Sequence, residues 1–289
     1  MQKILIVTDS ASDLSEKDER ELGIRVLPYK LMLDGKEYIS RVELYNEIFY
    51  RMLAGSEGVP TTSQITPFEF VDLYREYWRE GYTDVIQILI NAAGSSTYQN
   101  SVLAVEQFLE EEPEAREQIR IHTLEGKSYT GAYGFAAVQA ARMAREGKST
   151  EEILAFVNDW LDHCRIYAGL FTLKYAARSG RIPSVAAFVG DVIGMKPIMR
   201  IFDHEITTRD KVRGEKNIIP FIIRKVTAEI VPESPYCVVY GENEADGAEM
   251  TAAATAALGY PPADTYRIGP IIASHAGPRV VGLIFRAKK

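Results

Sequence analysis

Long apolar runs are missing from this 289-residue chain. No window approaches the roughly 18 consecutive apolar residues of a membrane-spanning helix. Histidine is scarce: His122, His163, His204 and His275 are scattered, and no HExxH occurs, so a zinc enzyme is not expected. The two cysteines, Cys164 and Cys237, form no ligand cluster and fit a reducing compartment. Basic excess is absent too. With 33 Lys+Arg against 40 Asp+Glu the net charge is −7, which argues against general nucleic-acid affinity. No GxGxxG or Walker A sequence supports a nucleotide site. No GxSxG elbow or reactive-cysteine signature supports a catalytic triad. Internal repeats and low-complexity tracts are lacking as well.

What remains is a globular composition, 46% hydrophobic and 25% charged. The opening MQKILIVTDS has no long apolar signal core and reads as a first strand, so a cytoplasmic protein is expected. Short apolar strands at 3–9, 85–90 and 119–124 alternate with helical patterns at 15–23, 67–81, 128–147 and 150–164. That alternation predicts a parallel sheet covered on both faces. Asp34-Gly35 predicts a tight hairpin turn. From about residue 165 the character changes. Strand-like runs at 165–173, 196–213 (bending near Asp203-His204), 236–242 and 279–287 surround two helices, one of them containing Pro220. The expectation is therefore an α/β chain of two domains: a parallel-sheet domain over 1–160 and an α+β domain over 161–289.

Several clusters carry more small polar residues than turns and caps require. In NAAGSSTYQN (91–100), Ser96 and Gln99 fit a capping box. Ser95 is then spare, either a redundant cap or a donor to an anion at a helix N-terminus. In TTSQITPFEF (61–70), Thr66, Pro67 and Glu69 fit cap, first turn and box. Thr61, Thr62 and Ser63 are left over, as solvated loop hydroxyls or as ligand donors. Arg181 in RSGRIPS reads on its own as an exposed turn residue before a Pro-initiated helix. His275 in SHAGPR, between an apolar strand and a Gly-Pro turn, reads either as a hydrogen-bonded filler or as a functional group. Asp9 and Ser10 close the first strand, and in parallel sheets ligands lie beyond such carboxyl ends. They are expected to share that edge with Ser95. The basic run RDKVRGEK (209–216) is either a solvated face or a docking patch.

In order, TDSASDL, TTSQITP, GSSTYQ, SGRI, GMKPIM and SHAGP resemble the DegV family of fatty-acid-binding proteins, over nearly the whole chain. The resemblance implies a parallel-sheet domain and an α+β domain with the ligand between them. It implies a long-chain fatty acid as ligand and no cofactor or metal. Thr62, Ser63 and Ser95 would contact or position the carboxylate, and Arg181 and His275 would complement its charge. Ala186, Phe188, Val189, Val192, Ile193 and Met199 would wall the tail. The implied role is a carrier, not an enzyme. It presents the acid to a separate fatty acid kinase subunit that forms the acyl phosphate, with peripheral membrane contact for lipid exchange. Two other readings stand beside it: an acyl or phosphoryl transfer enzyme using His275 and a serine, and a binder of another amphiphilic carboxylate. Departures from the family pattern favour attention to the head group. Asn91 and Ala92 stand for two hydroxyls, Ser96 for a glycine, Ser179 for the first glycine of GGRI, and Arg279 for a glycine. Ser96 and Arg279 are expected to narrow or re-aim the pocket mouth.

Overall fold

The computed structural model describes residues 2–182 and 194–288. Ala186, Phe188, Val189, Val192 and Ile193, expected along the tail, lie outside the described residues, as does the helix expected after Arg181. In chain order the first half comprises β1 (Ile4–Asp9), α1 (Glu16–Leu22), β2 (Arg25–Leu27), β3 (Lys30–Leu33), β4 (Lys36–Ile39), α2 (Asn46–Gly55), β5 (Thr61–Ser63), α3 (Pro67–Arg79), β6 (Asp84–Leu89), α4 (Thr97–Glu111), β7 (Arg120–Glu125), α5 (Gly131–Arg145) and α6 (Thr150–His163). The second comprises β8 (Cys164–Leu170), α7 (Lys174–Ser179), β9 (Met195–Phe202), β10 (Glu205–Arg213), α8 (Ile218–Glu229), β11 (Tyr236–Tyr240), α9 (Glu244–Leu258), β12 (Asp264–Arg267), α10 (Pro270–Ala276) and β13 (Val280–Arg286).

β2-β1-β6-β7 form a parallel sheet. Every residue of β6 is buried, as befits a largely apolar strand covered on both faces, and the side-chain amide of its Gln87 donates to Tyr74 OH and Thr123 Oγ1. The helices start where their side chains can satisfy free N–H groups. Thr66 with Glu69 and Ser149 with Glu152 close reciprocal capping boxes on α3 and α6, and Ser15 caps α1. The second sheet runs β10-β9-β8-β13-β11-β12 and mixes antiparallel pairs with the parallel pair β11–β12. Strand alternation splits its side chains. Tyr167, Ile198 and Leu283 join α8 and α9 in a core of their own, while Ile166, Ala168 and Met199 face the main core shared with the parallel sheet. The chain thus has a parallel-sheet domain and a second, α+β domain.

Helix α5 lies at the junction, packed on β1 and β6 and touching β8 and β12. Its small residues permit that. A Cβ on Gly131 would stand 2.3 Å from the Tyr266 ring, and one on Gly134 would stand 2.3 Å from the Ser12 carbonyl oxygen.

Three local expectations change. The hydroxyls of Thr61–Ser63 are not in a loop: they form β5, paired with β3 in a small antiparallel sheet with β4. Residues 196–213 are not one bent strand but the hairpin β9–β10, whose two-residue turn holds Asp203 at φ 44° and His204 at φ 69°. Asp-His lacks the glycine that made Asp34-Gly35 readable, at φ 49° and 78°. Residues 270–276 before the Gly-Pro turn are helix α10 and not a strand, opened by Pro270 at its first position and ended by Gly277 at φ 93°. Among the described residues no helix is long and apolar enough to cross a membrane.

Candidate functional site

A cavity of about 660 Å³ opens between the carboxyl edge of the parallel sheet and the inner face of the six-stranded sheet. Four separate segments supply its polar end. β5 brings Thr62 and Ser63, the loop after β6 brings Ser95, the turn after α7 brings Arg181, and α10 brings His275. All five expected residues therefore line one cavity. Much of the remaining wall is aliphatic, with Ile166, Ala168, Met199, Ile201, Val239 and Val280 among its members, and Tyr29, Gln64, Thr66, Ser96, Tyr129 and Thr130 add further polar groups. Met199 is the residue of the expected tail wall that the described structure places there.

Thr62 is half-buried between the exposed Thr61 and Ser63 of β5, and its Oγ1 lies 3.0 Å from His275 Nε2. Burial, reinforced by the nearby Arg181 charge, pushes the His275 pKa down to about 4. The imidazole is therefore neutral at pH 7, and the positive charge expected from His275 is supplied by Arg181 alone of the pair. Arg181 follows Gly180, which closes α7 at φ 67°. Its backbone N–H donates to Ser179 Oγ at 3.1 Å and its guanidinium to the Ser179 carbonyl at 3.0 Å. Ser179, at the family's glycine position, thus ties the Arg181 turn together.

The opening of α4 differs from the expected capping box. Ser96 caps the helix by position but its side chain makes no cap hydrogen bond. Ser95 does that work: its Oγ accepts from Thr97 N at 3.3 Å and lies 3.0 Å from Thr97 Oγ1. Ser95 is thus not spare, yet it still lines the cavity. Ser96 is exposed at the mouth, as expected. Arg279 does not reach it. Asp246 holds the Arg279 guanidinium by two bonds of 2.7 and 3.0 Å, Glu215 by one of 2.8 Å, and Phe171 stacks beneath.

Asp9 and Ser10 are diverted into the fold. Asp9 accepts from Ala11 N at 3.0 Å, Ile90 N at 2.8 Å and Tyr133 OH at 2.6 Å, stitching the ends of β1 and β6 to α5. Ser10 Oγ accepts from Tyr29 N. Neither lines the cavity. Asn91, another departure, is fully buried and donates to the His204 carbonyl at 2.9 Å. It anchors the Ser95 loop to the β9–β10 turn, where Glu125 also receives His204 Nδ1 and Ala92 N.

Sequence reasoning missed Tyr29 and Tyr129, which line the cavity near the hydroxyls. Tyr29 sits in an LPYK stretch that reads as hairpin, and nothing local marks its phenol as inward-facing. Among the described residues no group of three or more His, Cys, Asp and Glu could hold a metal.

A family model described as "Uncharacterised protein, DegV family" matches residues 3–288. A DegV domain-containing protein of Caldanaerobacter subterraneus subsp. tengcongensis is 32% identical over 290 residues, covering 100% of both chains. One from Staphylococcus aureus is 30% identical over 293 residues, covering 99% of this chain and 98% of its own. Among solved structures, a DegV family protein from Thermus thermophilus, described by its fatty acid binding, superposes with a TM-score of 0.86 at 26% identity, covering 99% of this chain and 100% of that one. A stearic-acid-binding protein from Eubacterium ventriosum matches in fold, with a TM-score of 0.87 at 24% identity and 98% of each chain covered.

Proposed function

Since the chain belongs to the DegV family, we propose that it binds a long-chain fatty acid and presents the carboxylate to a separate ATP-dependent fatty acid kinase. The observation that carries this reading is the mixed lining of the cavity. Thr62, Ser63, Ser95, Arg181 and His275 line it together with other polar groups such as Gln64 and Tyr129, while aliphatic side chains such as Ile166, Met199, Ile201 and Val280 supply much of the remaining wall. An amphiphile with one anionic head fits such a site. Its tail gains roughly 0.8 kcal/mol for each CH₂ buried. Its head, costly to bury alone, finds hydroxyl donors and the Arg181 charge. The fatty acid binding described for the Thermus thermophilus relative supports the same ligand class.

Presentation follows from exposure. Ser63, Ser96 and Arg181 at the polar end are exposed, so the carboxylate lies toward the surface and the tail toward the core. In this reading the domains 1–160 and 161–289 form the two walls, and the protein is cytoplasmic. It touches membranes peripherally to exchange lipid, and it needs no cofactor because the kinase brings ATP. Lys211 and Arg213 on β10 help dock that kinase. Reversing both charges is expected to slow acyl phosphate formation in a coupled assay with lipid affinity unchanged, and undiminished turnover would remove them from the docking face.

An acyl or phosphoryl transfer enzyme is the weaker reading. The hydroxyl within reach of His275 is that of Thr62, and among the described residues no serine hydroxyl bonds the imidazole. A pKa near 4 also makes His275 a poor general base at neutral pH. Mass spectrometry of small molecules released by denaturing the purified protein tests the proposal. One long-chain fatty acid per chain is expected. Release of another amphiphilic carboxylate would move the assignment to that ligand, and an empty protein that refuses fatty acids on titration would overturn it. Turnover of an acyl substrate by the isolated protein would favour the enzyme.

A further inference from the structure

The Ser95 hydroxyl is bonded to two buried hydroxyls, those of Tyr29 and Thr97, and the protons of the three can be counted. Tyr29 OH donates to Thr97 Oγ1 at 2.8 Å, and Ile65 N donates to the same oxygen at 3.3 Å. A threonine hydroxyl has two lone pairs and one proton. With both lone pairs engaged, the Thr97 proton must be given away, and the partner at hand is Ser95 Oγ, 3.0 Å distant. Ser95 Oγ also accepts from Thr97 N at 3.3 Å. Its own lone pairs are then occupied, and its own proton is left to donate. Within the cluster only the Tyr29 oxygen stands near it, at a long 3.4 Å.

Water does not scramble this order. Thr97 is fully buried and Tyr29 is 3% exposed. Burial above all raises the Tyr29 pKa well above its ordinary value, so the phenol remains a donor at any physiological pH. Ser95 by contrast is partly open and lines the polar end of the cavity. It also lies at the N-terminus of the 15-residue helix α4, where the helix dipole favours negative charge.

We propose that Tyr29 and Thr97 are positioning residues that fix the Ser95 hydroxyl as a donor aimed into the cavity, toward the carboxylate of the bound acid. The proposal rests on the fatty-acid reading and deepens it. It makes head-group recognition a property of a three-residue relay drawn from the β2–β3 connection and the start of α4. Thr97, which lies outside the cavity lining, need not touch the ligand to select for an acceptor there.

The test compares hexadecanoate with hexadecan-1-ol by calorimetric titration, after thermal melts establish that each variant folds. Tyr29→Phe and Thr97→Val are each expected to weaken hexadecanoate about tenfold, the scale of one hydrogen bond to a charged group. Hexadecan-1-ol, whose neutral head gains less from a directed donor, is expected to change by no more than about twofold. Thr97→Ser, which keeps the hydroxyl, is expected to restore hexadecanoate binding. A relay acting through Ser95 must also vanish with it, so adding Tyr29→Phe to Ser95→Ala should have no further effect. Equal losses for acid and alcohol, or a full Tyr29→Phe effect in the Ser95→Ala background, would overturn the relay while leaving the fatty-acid reading intact. Wild-type protein that binds neither compound would overturn both.

Discussion

Ala168→Phe is expected to weaken binding of a sixteen-carbon acid by about a thousandfold, far more than Ser95→Ala. Ala168 is buried on β8 and faces the aliphatic part of the cavity. A phenyl ring there fills the tail's path. Excluding about five methylenes forfeits roughly 4 kcal/mol, which is about three orders of magnitude in affinity. Ser95→Ala removes one donor to a carboxylate, worth about 1.5–3 kcal/mol. Affinity is therefore expected to reside chiefly in the tail, with the polar end setting orientation and making a charged head acceptable. Titration of both variants with a chain-length series checks this. Ala168→Phe should retain a ten-carbon acid near the wild-type value, whereas Ser95→Ala should lose a similar factor at every length. The opposite order of losses would reverse the assignment. Overpacking costs of about 1–3 kcal/mol are expected in the fold, so melts accompany the titrations.

Stability is expected to fall by about 4 kcal/mol between pH 5 and pH 8 on account of two buried carboxyls. Burial, foremost, raises Asp9 to about 6 and Asp13 to about 7 from an ordinary value of 3.8. A carboxyl whose pKa is raised by folding carries no penalty below its unfolded value. The folded state is then progressively disfavoured as pH rises through the folded value. Asp13 is the larger contributor, at roughly 2–3 kcal/mol across this window. Its Oδ1 accepts from Gly269 N at 2.8 Å, joining the segment after β1 to the residue before α10, which carries His275. Urea denaturation of wild type and Asp13→Asn at pH 5, 6, 7 and 8 measures the slope. Asp13→Asn keeps an acceptor for Gly269 and should flatten the profile by more than half. A wild-type curve that rises over this range, or an unchanged slope in the variant, would contradict the assignment.

Most of the secondary structure was legible because its signals are local. Ser15, Thr66 with Glu69, the Asp34-Gly35 turn and the largely apolar run of β6 each speak through neighbours within four residues. The errors have the same origin. Seven residues from Pro270 to Ala276 are too few for periodicity to separate a short helix from a strand. Asp203-His204 makes its turn without the usual glycine, between β9 and β10, which pair on both sides of a register shift between Thr207 and Asp210. The ordered motifs also brought Thr62, Ser63, Ser95, Arg181 and His275 into one set, and the structure places them around one cavity.

By itself, then, the sequence determined the alternation of helices and strands and the two-part architecture, and it singled out five residues that the fold brings to one cavity. Tertiary structure alone decided what each of those residues is chemically. His275 is a neutral partner of Thr62, 213 positions away, because α10 folds against β5 and dries the ring. Asp9 is a strut because Ile90 and Tyr133 reach it before any ligand can. Arg279 is held away from the mouth by Asp246, and Ser95 is bonded to Thr97, which Tyr29 bonds in turn. Propensity and capping act over one turn of chain. Burial, proton ownership and charge pairing depend on groups that only the folded chain brings within about 3 Å of each other.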